Sequence, residues 1–151
     1  AAGALPPVIG WTIATGSISF EPLILFLIIF LWTPSHFWAL SLYKSSDYKK
    51  AKIPMLPIIS GTKTTKVNIL FYALMMLPAI IAPYFLNFAS VFYLAISSMM
   101  SAYYVYLCLR LYRSKIASIS NKIARKIFIY SIFYLFFIFL ILLIDNFLKI
   151  I

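Results

Sequence analysis

The chain has 151 residues, of which 64% are hydrophobic and 11% are charged, and its formal net charge is +10. A soluble domain of this length needs a larger polar surface, so the composition excludes an ordinary water-soluble globular protein. The basic residues lie in two clusters between apolar runs, a distribution that favours membrane topology over nucleic-acid binding.

The apolar runs predict an all-α fold, a polytopic bundle of transmembrane helices. Each run is close to the roughly 20 residues that a helix needs to cross a bilayer. Five spans are predicted, at about residues 1–19, 22–43, 67–86, 90–111 and 124–145. No repeat or low-complexity linker divides them, so residues 1–151 are expected to form one membrane domain.

The charge distribution predicts the orientation of these spans. All but one of the 13 Lys and Arg residues lie in or beside the predicted loops 44–66 and 112–123. The positive-inside rule places both loops in the cytoplasm. The start of the chain is then cytoplasmic and its end lies outside.

The second predicted span contains His36, the only histidine, in the segment WTPSHFW. An ionisable side chain at membrane depth is costly, so His36 is a candidate functional residue. The alternative is a neutral imidazole that is hydrogen-bonded to a backbone carbonyl freed by Pro34. A zinc site is not expected, because one histidine needs further ligands and Cys108 lies in a different span.

Asp47 is the only acidic residue in the two basic loops, in the segment KSSDYKK. Its carboxylate suits Mg²⁺, which prefers carboxylates together with substrate phosphates, although one carboxylate needs partners from outside the chain. The alternative is a helix N-cap or a salt bridge with neighbouring lysines. Lys49 and Lys50 are candidates for binding phosphate oxygens, whereas topology and lipid contact explain most of the other lysines.

If the second helix continues to Asp47, one of its faces carries side chains at three- and four-residue spacing. These are Trp32, His36, Leu40, Tyr43 and Asp47. His36 and Asp47 would lie roughly 16 Å apart along the axis, too far to bind one ion together but suited to the two ends of one pocket. Ordinary helix packing is the alternative. A group of tyrosines further on fits an interfacial aromatic belt: Tyr103, Tyr104, Tyr106 and Tyr112.

Four segments resemble, in order, the protoheme IX farnesyltransferase (heme O synthase) family of the intramembrane prenyltransferase (UbiA) superfamily. They are residues 3–12 (GALPPVIGWT), 34–40 (PSHFWAL), 47–57 (DYKKAKIPMLP) and the last span, with 131–135 (SIFYL) and Asp145. Ser35 and Lys52 depart from the family pattern, which usually has proline and glycine there. We expect the first departure to relax a kink and the second to require a negative φ at Lys52.

The resemblance implies a nine-helix bundle and transfer of farnesyl from farnesyl diphosphate to a vinyl group of heme B, giving heme O. It implies that Asp47 belongs to the second of two Asp-rich motifs that hold the diphosphate through Mg²⁺. It also makes Trp32, Tyr43, Lys49 and Lys50 candidate substrate-binding residues. His36 becomes a candidate catalytic residue that contacts heme.

No motif of the Asn-x-x-x-Asp kind occurs in the chain, which therefore resembles the C-terminal half of such an enzyme and is expected to be inactive alone. The resemblance implies a bacterial inner-membrane location, with a heme A synthase or terminal oxidase as an open possibility for a partner. A related enzyme with a quinone-precursor acceptor is one rival interpretation. The other is a membrane transporter, since broken helices and basic loops suit that class too.

Overall fold

The computed structural model describes residues 2–150 of the chain, with side chains described through residue 148. Every regular element in this range is a helix, which confirms the all-α prediction. A 3₁₀ turn at Ala2–Ala4 precedes seven α-helices: α1 Pro6–Thr15, α2 Phe20–Tyr43, α3 Ser45–Lys50, α4 Leu56–Ile59, α5 Gly61–Phe85, α6 Val91–Arg113 and α7 Ala117–Ile150.

Four helices in the described part of the chain are long and apolar enough to cross a membrane: α2, α5, α6 and α7 over Ala117–Leu148. The protein is therefore a multi-pass helical membrane protein. These helices contain the last four predicted spans to within one residue, and three of them, α5, α6 and α7, extend further into the basic segments. Since α6 ends at Arg113 and α7 begins at Ala117, the predicted loop 112–123 shortens to residues 114–116.

The first predicted span, residues 1–19, differs from the structure. Its only α-helix is α1, which has 10 residues and begins at Pro6. The backbone at Gly16 is left-handed, with φ 70°, and its N–H bonds the carbonyl of Thr12, which ends the helix. A helix of this length covers about 15 Å, half of the hydrocarbon core. Residues 2–150 thus hold four helices of spanning length, where five were expected.

The four long helices pack in a closed ring, in which α2 and α6 each contact both α5 and α7. Hydrogen bonds between side chains cross the interior of this ring. Ser35 on α2 bonds the Tyr104 hydroxyl on α6 at 2.8 Å, and Ser101 on α6 bonds the Tyr134 hydroxyl on α7 at 2.8 Å. Polar pairs of this kind join helices in lipid, where an unpaired hydroxyl is costly. Ser35 therefore has a packing role in this chain.

Tyr104 was expected in an interfacial belt, and the structure contradicts this. Its side chain is fully buried, and its ring stacks on Tyr134 at 5.2 Å between centroids. The other three tyrosines of the group are between 37% and 50% exposed. Helical periodicity explains the difference, because α6 turns position 104 inward and turns its neighbours outward.

Asp145 on α7 is 4% exposed and holds the start of α6. Its carboxylate accepts hydrogen bonds from the Ser90 backbone N–H, at 2.7 Å, and from the Ser90 hydroxyl. Ser90 is the N-cap residue of α6, and its side-chain oxygen accepts from the N–H of Phe92. Asp145 therefore fixes the α6 cap to α7.

Asp145→Ala is expected to destabilise the folded protein by about 2 kcal/mol, because it leaves the two part-buried donors of Ser90 without their acceptor. Thermal unfolding of the full-length protein in detergent measures this effect. Asn146→Ala is the matched control, since among the residues that the structure describes the Asn146 side chain bonds only the carbonyl of Leu142, within the same helix. Equal melting temperatures for the two variants would contradict the proposed role of Asp145.

Lys52 has a φ of 55°, so the expectation of a negative φ at this residue was wrong. The N–H groups of Lys52 and Ile53 bond the carbonyls of Lys49 and Tyr48, respectively. This pattern is a Schellman motif, whose left-handed residue is usually glycine. The motif ends α3 and directs the chain toward Pro54. The family's usual glycine is thus explained by the backbone, and Lys52 adopts the same conformation at a cost in strain.

Lys52→Gly is expected to slow local opening of the α3 end about fivefold, since it removes roughly 1 kcal/mol of left-handed strain. Hydrogen exchange at the amides of Lys52 and Ile53 measures the change. Ala51→Gly introduces a glycine at the preceding residue, where φ is −76°. This variant is expected to speed exchange instead. Slower exchange in both variants would show that strain at Lys52 is not the cause.

Candidate functional site

His36 lies between two aromatic rings at the interface of α2 and α7. Its ring stacks on Trp32 at 4.3 Å and on Phe128 at 4.7 Å between centroids, and the residue is 8% exposed. The residues Trp32 and His36 share a face because they are four apart on α2. Phe128 comes from α7 and completes the stack. The structure thus brings two predicted site residues together and adds a third that the sequence did not single out.

Ser131 on α7 binds both polar side chains of this stack. The Trp32 indole N–H donates to the Ser131 carbonyl at 2.9 Å, and Nδ1 of His36 lies 2.7 Å from the Ser131 hydroxyl oxygen. That hydroxyl donates its proton to the Phe128 carbonyl at 2.7 Å. It is therefore an acceptor toward His36, whose Nδ1 carries the proton and whose Nε2 keeps a lone pair. The sequence offered a hydrogen bond from His36 to a carbonyl freed by Pro34 as an alternative. In the structure Nδ1 of His36 bonds the Ser131 hydroxyl instead.

The stack continues along α2 toward the basic loop. Tyr43, the last residue of α2, packs against Phe128 with 6.0 Å between ring centroids. The Lys44 ammonium then lies 5.8 Å from the Tyr43 ring centroid. A continuous line of rings, formed by Trp32, His36, Phe128 and Tyr43 and called the aromatic column below, therefore leads to Lys44. Trp32, His36 and Tyr43 share one face, as predicted.

Asp47 does not continue that face of α2, because the helix ends before it. Lys44 leaves the helical conformation, with φ −100° and ψ 17°, and Asp47 lies in the separate helix α3. Its carboxylate forms an ion pair with Lys44 at 3.1 Å, and its side chain is 59% exposed. The aromatic column nevertheless reaches this carboxylate through Lys44.

The ion pair keeps the Asp47 carboxylate charged. The hydrogen bond and the positive charge of Lys44 lower the pKa of Asp47 below its ordinary value of 3.8. The same partner effect raises the pKa of Lys44 above 10.5. Because both groups are exposed, solvent screens the attraction and the pair contributes little to stability. Its consequence is chemical: a fully ionised carboxylate faces the solvent at the end of α2.

The surroundings of Asp47 suit Mg²⁺ bound together with a phosphate substrate. Lys49 lines a cavity of about 320 Å³ between α3, α4 and the start of α5, and Lys50 is exposed on α3. In the described residues, no three or more His, Cys, Asp or Glu side chains lie close enough together to hold a metal ion. Mg²⁺ often uses one or two carboxylates and completes its shell with waters and phosphate oxygens. Asp47 fits one such ligand position, and the remaining ligands must come from elsewhere.

An apolar groove of about 650 Å³ runs between α2 and α7, next to the aromatic column. Trp32 lines the groove together with Ile29, Leu135, Phe139 and other apolar side chains. The groove is thus chemically suited to a hydrocarbon chain. Its lining includes the Trp32 ring that stacks on His36, so an occupant in contact with Trp32 would lie close to the His36–Ser131 pair.

Three residues of the site were not predicted from the sequence: Lys44, Phe128 and Ser131. Phe128 and Ser131 are three apart and share a face of α7, but nothing in the sequence pairs that face with α2. Lys44 is three residues before Asp47, a spacing at which helical side chains meet. That signal was available, although it did not distinguish Lys44 from Lys49 and Lys50.

Together, the bundle of spanning helices, the exposed carboxylate among lysines and the aromatic column define an integral membrane protein with a candidate site for a phosphorylated, partly apolar substrate. The chain matches the UbiA prenyltransferase family over residues 1–132. It therefore belongs to that family.

Three similar curated proteins are named protoheme IX farnesyltransferase. The Pelagibacter ubique protein is 62% identical over 97% of this chain and 48% of its own length. The proteins of Parvibaculum lavamentivorans and Rickettsia bellii are 47% and 46% identical, over 97% and 94% of this chain and 46% of their own lengths. The chain thus spans about half the length of the curated relatives it matches. No solved structure matches it significantly.

Proposed function

We propose that this chain is the C-terminal half of a protoheme IX farnesyltransferase, which transfers farnesyl from farnesyl diphosphate to a vinyl group of heme B and yields heme O. The observation that carries the proposal is the aromatic column, which joins His36 to the Asp47 loop. The names of relatives up to 62% identical supply the substrates. The missing half would bring the first Asp-rich motif, so residues 1–151 alone are expected to be inactive.

Asp47 is the proposed Mg²⁺ ligand, and Lys49 and Lys50 are the proposed partners of diphosphate oxygens. When bound, Mg²⁺ would supply positive charge that offsets the charge of the diphosphate. Asp47 would hold the ion, and the two lysines would add positive charge at the same place. The excess of Lys and Arg on these segments supports a cytoplasmic position for the site. The bacterial sources of the relatives support a location in the inner membrane of a bacterium.

The chemical step begins when the bond between C1 of farnesyl and the diphosphate oxygen breaks, releasing diphosphate and an allylic cation. The vinyl carbon of heme attacks C1, and water adds to the resulting cation with loss of a proton. The faces of Trp32 and Tyr43 stabilise positive charge nearby, and the apolar groove accepts the farnesyl chain. His36 contacts heme B through the lone pair on Nε2, the atom suited to binding heme iron.

Extraction of hemes from membranes tests this function. The full-length protein is expressed in cells that lack heme O, and the hemes are resolved by chromatography with mass detection. A heme O peak that appears only with the protein supports the proposal. A prenylated quinone precursor in its place would favour the rival acceptor, and no prenylated product at all would favour a transporter. A heme A synthase or oxidase as partner stays a prediction that co-purification tests.

A further inference from the structure

A basic cavity of about 560 Å³ lies where the first turns of α5 meet the turn between α6 and α7. Its lining includes the four cationic side chains of Lys63, Lys66, Arg113 and Lys115 and contains no carboxylate. Thr62 lines both this cavity and the cavity beside Lys49, so the two adjoin at that residue. They share no cationic side chain, because Lys49 lines only the other cavity.

The acidic residues of the chain lie away from the basic cavity. Glu21 is in the first turn of α2, and Asp145 binds Ser90 at the start of α6, so both lie at the opposite end of the spanning helices. Asp47 is paired with Lys44, in the one ion pair recorded among the described residues. Four positive charges around one cavity repel each other, and an anion bound within it would replace this repulsion by attraction.

Lys66 is held in position by the turn between α6 and α7. Its ammonium donates to the Ser114 carbonyl and to the Ser120 hydroxyl, both at 2.7 Å. An ammonium has three N–H donors, so one remains for a ligand. The Ser114 and Ser120 hydroxyls are also 3.0 Å apart, which ties both ends of the turn to Lys66. The cavity is thus organised before any ligand arrives.

We propose that the basic cavity binds the phosphate of an anionic phospholipid. Basic pockets at the ends of spanning helices suit lipid head groups, and three of the four spanning helices meet here. Exposed apolar side chains lie close in sequence to the lining residues: Val67, which follows Lys66, is 43% exposed, Ile116, which follows Lys115, is 59% exposed, and Ile119 is 44% exposed. These side chains offer acyl chains a surface beside the head group. Tyr112, also in the lining, is an aromatic residue of the kind that anchors at the interface.

Native mass spectrometry of the full-length protein tests the proposal, with equal amounts of phosphatidylglycerol and phosphatidylcholine added in detergent. The wild type is expected to retain phosphatidylglycerol preferentially. Lys63→Gln combined with Arg113→Gln is expected to lower this preference roughly tenfold, since each basic residue contributes to head-group attraction. These two leave the Lys66 bonds intact, so the fold is preserved. Lys122→Gln combined with Lys126→Gln is the matched control, because it removes the same charge outside the cavity.

Retained preference in the control, together with its loss in the cavity variant, supports the proposal. Equal loss in both double variants would overturn it, because the attraction would then be a general charge effect. A wild type without preference for phosphatidylglycerol would overturn it as well. So would displacement of the bound lipid by inorganic pyrophosphate, since the cavity would then serve the diphosphate. None of these readouts depends on heme O formation, so the outcome is separate from that of the proposed reaction.

Discussion

Asp47→Asn in the full-length protein is expected to lower heme O formation by about 100-fold or more, at equal protein level. The substitution keeps the size of the side chain but removes the charge that binds Mg²⁺, and the departing diphosphate loses its neutralising ion. Heme analysis by chromatography with mass detection measures the product, and an immunoblot measures the protein. The expected loss is in product formation and not in folding, because the Asp47 side chain is 59% exposed.

Lys44→Gln is the control for this variant, since Lys44 is the partner of Asp47 in the ion pair. If the pair itself matters, the two substitutions have similar effects. If Asp47 is a metal ligand, Lys44→Gln leaves a carboxylate that is still charged at neutral pH and retains most of the activity. Raising the Mg²⁺ concentration is then expected to help Lys44→Gln and not Asp47→Asn. A fully active Asp47→Asn would reduce Asp47 to a structural loop residue.

The pH dependence of the same assay has a definite expected form. Because Lys44 lowers the pKa of Asp47 below 3.8, the carboxylate loses its charge only in stronger acid than that. The small stability that comes from its ionised form is likewise present above this range and is lost as pH falls through the lowered pKa. A change in rate between about pH 5 and 8 must therefore come from another group.

Hydropathy and charge predicted most of the fold because a spanning helix must be long, apolar and flanked by recognisable loops. The four long helices follow that rule. The shorter helix within residues 1–19 has a local cause: α1 begins only at Pro6, and Gly16 ends it by adopting a left-handed backbone. Helix ends depend on single residues of this kind, which average hydropathy does not weigh. The positive φ of Lys52 escaped prediction for a related reason, since lysine itself gives no sign of a left-handed position.

The sequence predicted the site residues that lie on α2, but it did not predict their partners on α7. The spacing of Trp32, His36 and Tyr43 places them on one face of α2, which the structure confirms. Their partners on α7, Phe128 and Ser131, are about 90 residues further along the chain, and only the packing of α7 against α2 brings them close. Periodicity identifies a buried face, but it does not say which other face covers it. Contacts between distant segments therefore had to come from the structure.

His36→Ala in the full-length protein is expected to lower heme O formation about tenfold or more, because it removes the proposed ligand of heme iron. The absorption spectrum of the heme-loaded protein is expected to change as well, since an axial histidine determines the position of the main band. Added imidazole is expected to restore part of the spectrum, because it supplies the same nitrogen ligand. Spectrum and product are measured on the same preparation.

Ser131→Ala separates ligation from packing at this site. It keeps the His36 ring between Trp32 and Phe128 but removes the hydroxyl that accepts from Nδ1. Without that acceptor the ring is free to exchange tautomers, so heme binding is expected to weaken less than in His36→Ala and to respond less to imidazole. If His36→Ala instead keeps the wild-type spectrum and the wild-type yield of heme O, then His36 is a packing residue of the aromatic column, and the proposed contact with heme is wrong.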